Sequence, residues 1–111
     1  MTKEQLQNYR YIKKERCQIE QRLRCLERSP ESELDTIKPL QECYAKKLEE
    51  LVNTQLEIEQ AIETLDPMER DVVRLRYIDG KSWCRIAMQL NYSEASTHRI
   101  HRKALAKLKN L

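Results

Sequence analysis

The chain has 111 residues, 35% of them charged and 40% hydrophobic, with no Phe, a single Gly and a formal charge of +3. That composition excludes one large aromatic core and leaves few places to turn, while abundant Leu, Glu, Lys, Arg and Gln favour long helices over strands. The expected fold class is all-α, and no apolar run approaches the roughly 20 residues that span a bilayer, so no membrane partner is expected.

From Lys3 to Arg28 there is neither Gly nor Pro, and Leu6, Tyr9, Ile12, Ile19, Leu23 and Leu26 recur at spacings of three, four and seven. This pattern predicts one amphipathic helix, roughly 39 Å long at about 1.5 Å per residue. It should stop at Ser29-Pro30, because the residue before a proline is pushed out of the helical region. A polar connector is expected up to Pro39. A second helix, about Gln41 to Leu65, carries a heptad with Tyr44, Leu51, Ile58 and Leu65 at one seam position and Leu48, Gln55 and Ile62 at the other. Two such helices can fold back on each other as a coiled-coil-like hairpin, or pair with a second subunit. A polar Gln55 in a seam can fix register or oligomeric state, and a homodimer is expected.

Asp66-Pro67-Met68-Glu69 reads as a helix start: an Asp able to cap, a Pro at the first helical position and a Glu three residues beyond the cap. Met68, Val72 and Leu75 should form its inner face, and Ile78-Asp79-Gly80 its end, with Gly80 in the left-handed conformation. Ser82 can cap a short helix, Trp83 to Leu90, facing inward through Ile86, Ala87 and Leu90. Asn91-Tyr92-Ser93 then makes a turn in which Asn91 tolerates positive φ and Ser93 caps a last helix, about Glu94 to Leu108. A short capped helix, a three-residue turn and a second capped helix have the order and size of a helix-turn-helix (HTH). The expected domains are therefore residues 1–64, a helical hairpin suited to oligomerisation, and residues 65–111, a three-helix HTH.

Charge separates the same two parts. Residues 1–64 carry a net −2 and residues 65–111 a net +5, and after Glu94 no acidic residue occurs. A basic face of this kind is the electrostatic footprint of double-stranded DNA. On the last helix Thr97, Ile100, Ala104 and Leu108 share one face, with His101 at its margin, while Ala95, His98, Arg99, Arg102, Ala106 and Lys109 lie opposite. The amino-terminal part of a recognition helix enters the major groove, so Ala95, Ser96, His98 and Arg99 are placed at base edges and Arg102 at a base or a phosphate. Lys103, Lys107 and Lys109 suit the backbone. With Ser93 and Glu94 at the helix start, the expected DNA-binding set is Ser93, Glu94, Ala95, Ser96, His98, Arg99, Arg102, Lys103 and Lys107. Trp83 and Tyr92 are expected to pack against the module.

Cys17, Cys25, Cys43 and Cys84 form no CxxC pair and read as reduced, partly buried small side chains. His98 and His101, with no nearby Cys or carboxylate, leave a zinc site under-liganded. No metal and no cofactor are expected. A phosphate-cradling Gly loop, a nucleophile with a base and a metal-type carboxylate cluster are all missing from the sequence, so no enzymatic activity is expected.

Leu65-Asp66-Pro67-Met68-Glu69-Arg70, Leu75-Arg76-Tyr77, Ile86-Ala87-Met88-Gln89-Leu90 and Ala104-Leu105-Ala106-Lys107-Leu108 resemble region 4 of bacterial sigma factors, the part that reads the −35 promoter element. More narrowly, Asp79-Gly80-Lys81-Ser82-Trp83, Asn91-Tyr92-Ser93 and the stretch from His98 to Leu105 resemble the small region 4-like regulators of phages and prophages of low-GC Gram-positive bacteria, the ArpU and RinA type. The resemblance covers about 45 residues and implies that Glu94, Ala95, His98 and Arg99 face a promoter major groove. Asn91 replaces the usual turn Gly, Thr97 replaces an aliphatic core residue, and there is no counterpart of sigma region 2. The resemblance implies a cytoplasmic, nucleoid-associated transcriptional regulator of a bacterial host, binding promoter or operator DNA, with RNA polymerase as a second partner and residues 1–64 serving oligomerisation or polymerase contact. Its rivals are a small terminase-like packaging subunit and a polymerase-binding protein that does not read DNA.

Overall fold

The computed structural model describes residues 1–28 and 34–110. Its elements are α1 (Lys3–Gln7), α2 (Tyr9–Glu27), α3 (Leu34–Glu63), α4 (Pro67–Val73), a π-helical turn (Arg74–Ile78), α5 (Trp83–Leu90) and α6 (Glu94–Lys109). There is no strand among the described residues, in keeping with an all-α class. None of the described helices is long and apolar enough to cross a membrane.

The expected first helix is divided. Thr2 and Gln5 form a reciprocal capping box, the Thr2 N–H donating to Gln5 Oε1 at 2.9 Å and the Gln5 N–H to Thr2 Oγ1 at 3.4 Å, which starts α1. Asn8 then interrupts the helix for one residue at φ −78°, ψ −10°. Its conformation stays right-handed, so α2 resumes at Tyr9. The expected stop at Ser29-Pro30 lies outside the described residues.

The second helix begins earlier than its sequence suggests. Residues 34–39, expected as connector, are helical, and Pro39 lies inside α3. Proline there removes the donor for the Asp35 carbonyl and crowds it, which normally ends a helix. Ile37, only 9% exposed, supplies this added stretch with an apolar anchor.

The chain divides into two compact units, residues 11–56 and residues 1–10 with 57–111. The division does not fall at residue 64, because the first ten residues and the end of α3 pack with the C-terminal helices. In the unit of residues 11–56, α2 and α3 pair within one chain. Glu15 meets Lys47 at 2.9 Å, Arg16 Nη1 donates to Gln55 Oε1 at 2.6 Å, and the Arg22 guanidinium lies over Tyr44 at 5.9 Å. The polar seam residue Gln55 is thus buried and satisfied by an arginine. Cys17, Cys25, Cys43 and Cys84 are free and exposed, in contrast to the partial burial expected of them. They sit on outward helix faces, where a small apolar side chain carries little penalty.

The other unit has its core in Leu6, Tyr9, Ile58, Ile62, Leu65, Val72, Val73 and Ile86, with Thr97, Ala104 and Leu108 from α6. The Met1 ammonium donates to the Leu108 carbonyl at 2.8 Å, joining the first residue to the last helix. Pro67 opens α4 at its first position as expected, but Asp66 makes no side-chain cap. Its carboxylate instead accepts from Lys107 Nζ at 2.9 Å. Met68 is 48% exposed rather than part of the inner face, and Glu69 is buried. Helical phase explains both: Val72, Val73 and Leu65 fix the inward side, and Glu69 is the member of the first turn that falls on it.

Candidate nucleic-acid interface

The last helix is positioned by two backbone devices that precede it. The π turn closes through Asp79 N–H to the Arg74 carbonyl at 3.0 Å and Lys81 N–H to the Leu75 carbonyl at 2.9 Å. Gly80 follows at φ +70°, the left-handed conformation that lets the chain leave the helix sharply. Ser82 caps α5, accepting from the Arg85 N–H at 3.3 Å. At the other end of α5, Asn91 takes φ +58°. Tyr92 N–H reaches the Ala87 carbonyl at 3.0 Å and Asn91 N–H the Met88 carbonyl at 3.3 Å, the paired closure of a Schellman motif.

Ser93 then caps α6, accepting from the Ser96 N–H at 3.1 Å and donating through its hydroxyl to Ser96 Oγ at 2.9 Å. Thr97 is fully buried, and its hydroxyl donates to the Ser93 carbonyl at 2.9 Å. Thr97 therefore brings no unsatisfied group into the core. Ala104 at 0% exposure lets α6 approach α4 and α5 closely, and Leu108 closes the far end.

His101, expected at the margin, is instead a core residue, 6% exposed. Burial pushes its pKa down to about 4, and the positive surroundings of Lys3, His98 and Arg76 add to the effect. Burial raises the pKa of Tyr77. The Tyr77 hydroxyl therefore keeps its proton and donates it to Nε2 of a neutral His101 at 2.6 Å, leaving the imidazole proton on Nδ1. Trp83 sits edge-on to His101 at 4.6 Å and against His98 at 4.4 Å, with the Arg76 guanidinium over its face at 4.6 Å. Trp83 packs, as expected, and both histidines are engaged with neighbouring rings.

Locking α6 along Thr97, His101, Ala104 and Leu108 decides what faces outward. Glu94, Ala95, Arg99, Arg102, Lys103 and Lys109 are exposed, together with the cap Ser93, while Ser96 and His98 are half-buried. Arg99, Arg102 and Lys103 form no ion pair or hydrogen bond among the described residues, so their charge is available to a partner. Lys107 differs. Its ammonium donates to Asp66 Oδ2 at 2.9 Å and to Glu69 Oε1 at 2.8 Å, tying α6 to the start of α4. The two carboxylates raise its pKa. This lysine, expected among the DNA-binding residues, is exposed and paired within the module.

Sequence spacing missed the Tyr77–His101 bond and the Arg76–Trp83 stacking. A signal was present for the first: Thr97, His101, Ala104 and Leu108 follow a spacing of four, three and four, the pattern of a buried seam. The second had none, since it depends on how the π turn aims Arg76.

Residues 61–110 match the family described as Sigma-70, region 4. The module from the end of α3 through α6 is therefore a sigma region 4-like HTH. No curated protein and no solved structure matches the chain.

Proposed function

We propose that the chain is a sequence-specific, double-stranded DNA-binding transcriptional regulator of phage or prophage type, working in the bacterial cytosol with α6 laid in the major groove. The observation that carries this reading is the outward face of α6. Arg99, Arg102 and Lys103 are exposed and unpaired there, on a helix whose opposite face is locked in the core. Ala95, Ser96 and Arg99, with Glu94 and the edge of His98, lie at the amino-terminal end that meets bases. Arg102 follows, within reach of a base or a phosphate, Lys103 lies toward the phosphates, and Ser93 sets the start of the helix. An arginine fork on guanine O6 and N7 discriminates by about 1–3 kcal/mol, whereas a lysine on phosphate adds salt-dependent affinity with no sequence information.

One reading helix covers about one half-site, so the regulator acts as a homodimer on a two-part operator. Selection from a random duplex pool followed by footprinting tests the reading. The expected result is a single enriched motif with protection of two half-sites about 10 base pairs apart, centre to centre. Binding with no enriched motif would refute it. Sigma region 4 domains also bind RNA polymerase, which favours a second reading in which the module grips polymerase. That reading predicts co-purification with core polymerase and no sequence-specific footprint.

A further inference from the structure

A cavity of about 340 Å³ lies within the compact unit that holds the HTH. Lys3, Gln7 and Arg10 line it from the N-terminal residues, and Arg76, Gly80 and Trp83 line it from the HTH side. Three of these side chains are cations, and no carboxylate lines the cavity. Neither Lys3 nor Arg10 forms an ion pair among the described residues. Arg76 gives one N–H to the Lys81 carbonyl at 3.1 Å and keeps its remaining donors. Gly80, lacking a Cβ, leaves the space into which the Arg10 guanidinium packs. Like charges gathered around one concave surface repel unless an anion joins them, and two guanidinium forks with an ammonium match the oxygens of a phosphate.

We propose that this cavity is a phosphate-binding site completed by Lys3 and Arg10. The phosphate belongs either to duplex DNA beyond the reach of α6 or to a free phosphate-bearing ligand; only the first source rests on the function proposed above. In both cases the N-terminal residues add a binding element that the HTH alone does not have.

Trp83 is the only tryptophan in the chain, so its fluorescence reports on the cavity. The full chain, the double variant Lys3→Gln/Arg10→Gln and, for comparison, Arg99→Ala are titrated with inorganic pyrophosphate and, separately, with duplex DNA across a salt series. A free ligand gives a saturable Trp83 change with pyrophosphate that the double variant loses and Arg99→Ala retains. A duplex phosphate gives a double variant whose slope of log affinity against log salt is shallower by about 0.9 for each phosphate it no longer neutralises. Either outcome supports the site, and a double variant matching the parent in both titrations overturns it. Should the double variant melt early, Lys3→Gln alone, which alters one exposed side chain, carries the same two readouts. If the chain binds no duplex at all, the proposed function fails while the pyrophosphate titration still decides this site.

Discussion

Neutral His101, buried against Tyr77 and Trp83, gives folding a pH dependence with a defined sign. In the unfolded chain a histidine titrates near its ordinary value of 6.5, and in the folded chain His101 is held at about 4. Between these values the unfolded state binds a proton that the native state does not, so stability is full above about 6.5 and is lost as pH falls toward 4. At about 1.4 kcal/mol per tenfold change, the loss between pH 7.5 and pH 5 is about 2 kcal/mol. Asp66 and Glu63 have pKa values lowered by Lys107 and by Arg74 with Arg70, so their contributions fall away only in more acid solution, below 3.8 and 4.5 respectively. The interval from pH 5 to 7 therefore isolates His101 from these carboxylates. Urea denaturation of the parent and of His101→Leu, followed by circular dichroism at several pH values, measures the difference. Parent stability should fall with acidification by more than that of the variant. Equal pH slopes in the two proteins would refute a buried neutral His101.

Three further outcomes follow from local geometry. Asn91→Ala should lower stability by about 1 kcal/mol, because alanine at positive φ is strained, while Asn91→Gly should be neutral or better; thermal melts separate them. Gly80→Ala should cost at least as much, since its φ of +70° strains any side chain and the new methyl displaces Arg10, with the Trp83 emission changing as well. Lys107→Ala should lower the melting temperature by leaving the buried Glu69 carboxylate without its cation, with much of the loss recovered in Lys107→Ala/Glu69→Gln, and should leave the salt dependence of DNA binding unchanged.

The features legible in the sequence are those that local backbone chemistry encodes. Ser82 and Ser93 read as caps, Asn91 and Gly80 read as left-handed positions, and each does what its residue type dictates regardless of the rest of the chain. The inner face of α6 is legible through Thr97, Ala104 and Leu108 because helical periodicity fixes which residues share a side. Partners distant in sequence are not. Asp66 has the chemistry of a cap, yet Lys107, 41 residues away, takes its carboxylate. His101 follows the buried spacing of α6, but nothing local identifies Tyr77 and Trp83 as the residues that close over it. Pro39 shows the limit of local rules from the other direction, since a residue that ends most helices is carried inside α3. The first ten residues likewise read as the start of a hairpin, and their packing with the HTH unit depends on Leu6 and Tyr9 finding a core that spacing alone does not reveal.

The most direct test of a DNA-reading α6 compares the parent, Arg99→Ala and Arg102→Ala on the selected operator and on unrelated duplex at moderate salt. Loss of a base-reading arginine should weaken operator binding by about 1–3 kcal/mol, roughly 5- to 150-fold, and narrow the gap between operator and unrelated DNA. Operator affinity unchanged in both variants would contradict a reading helix at α6.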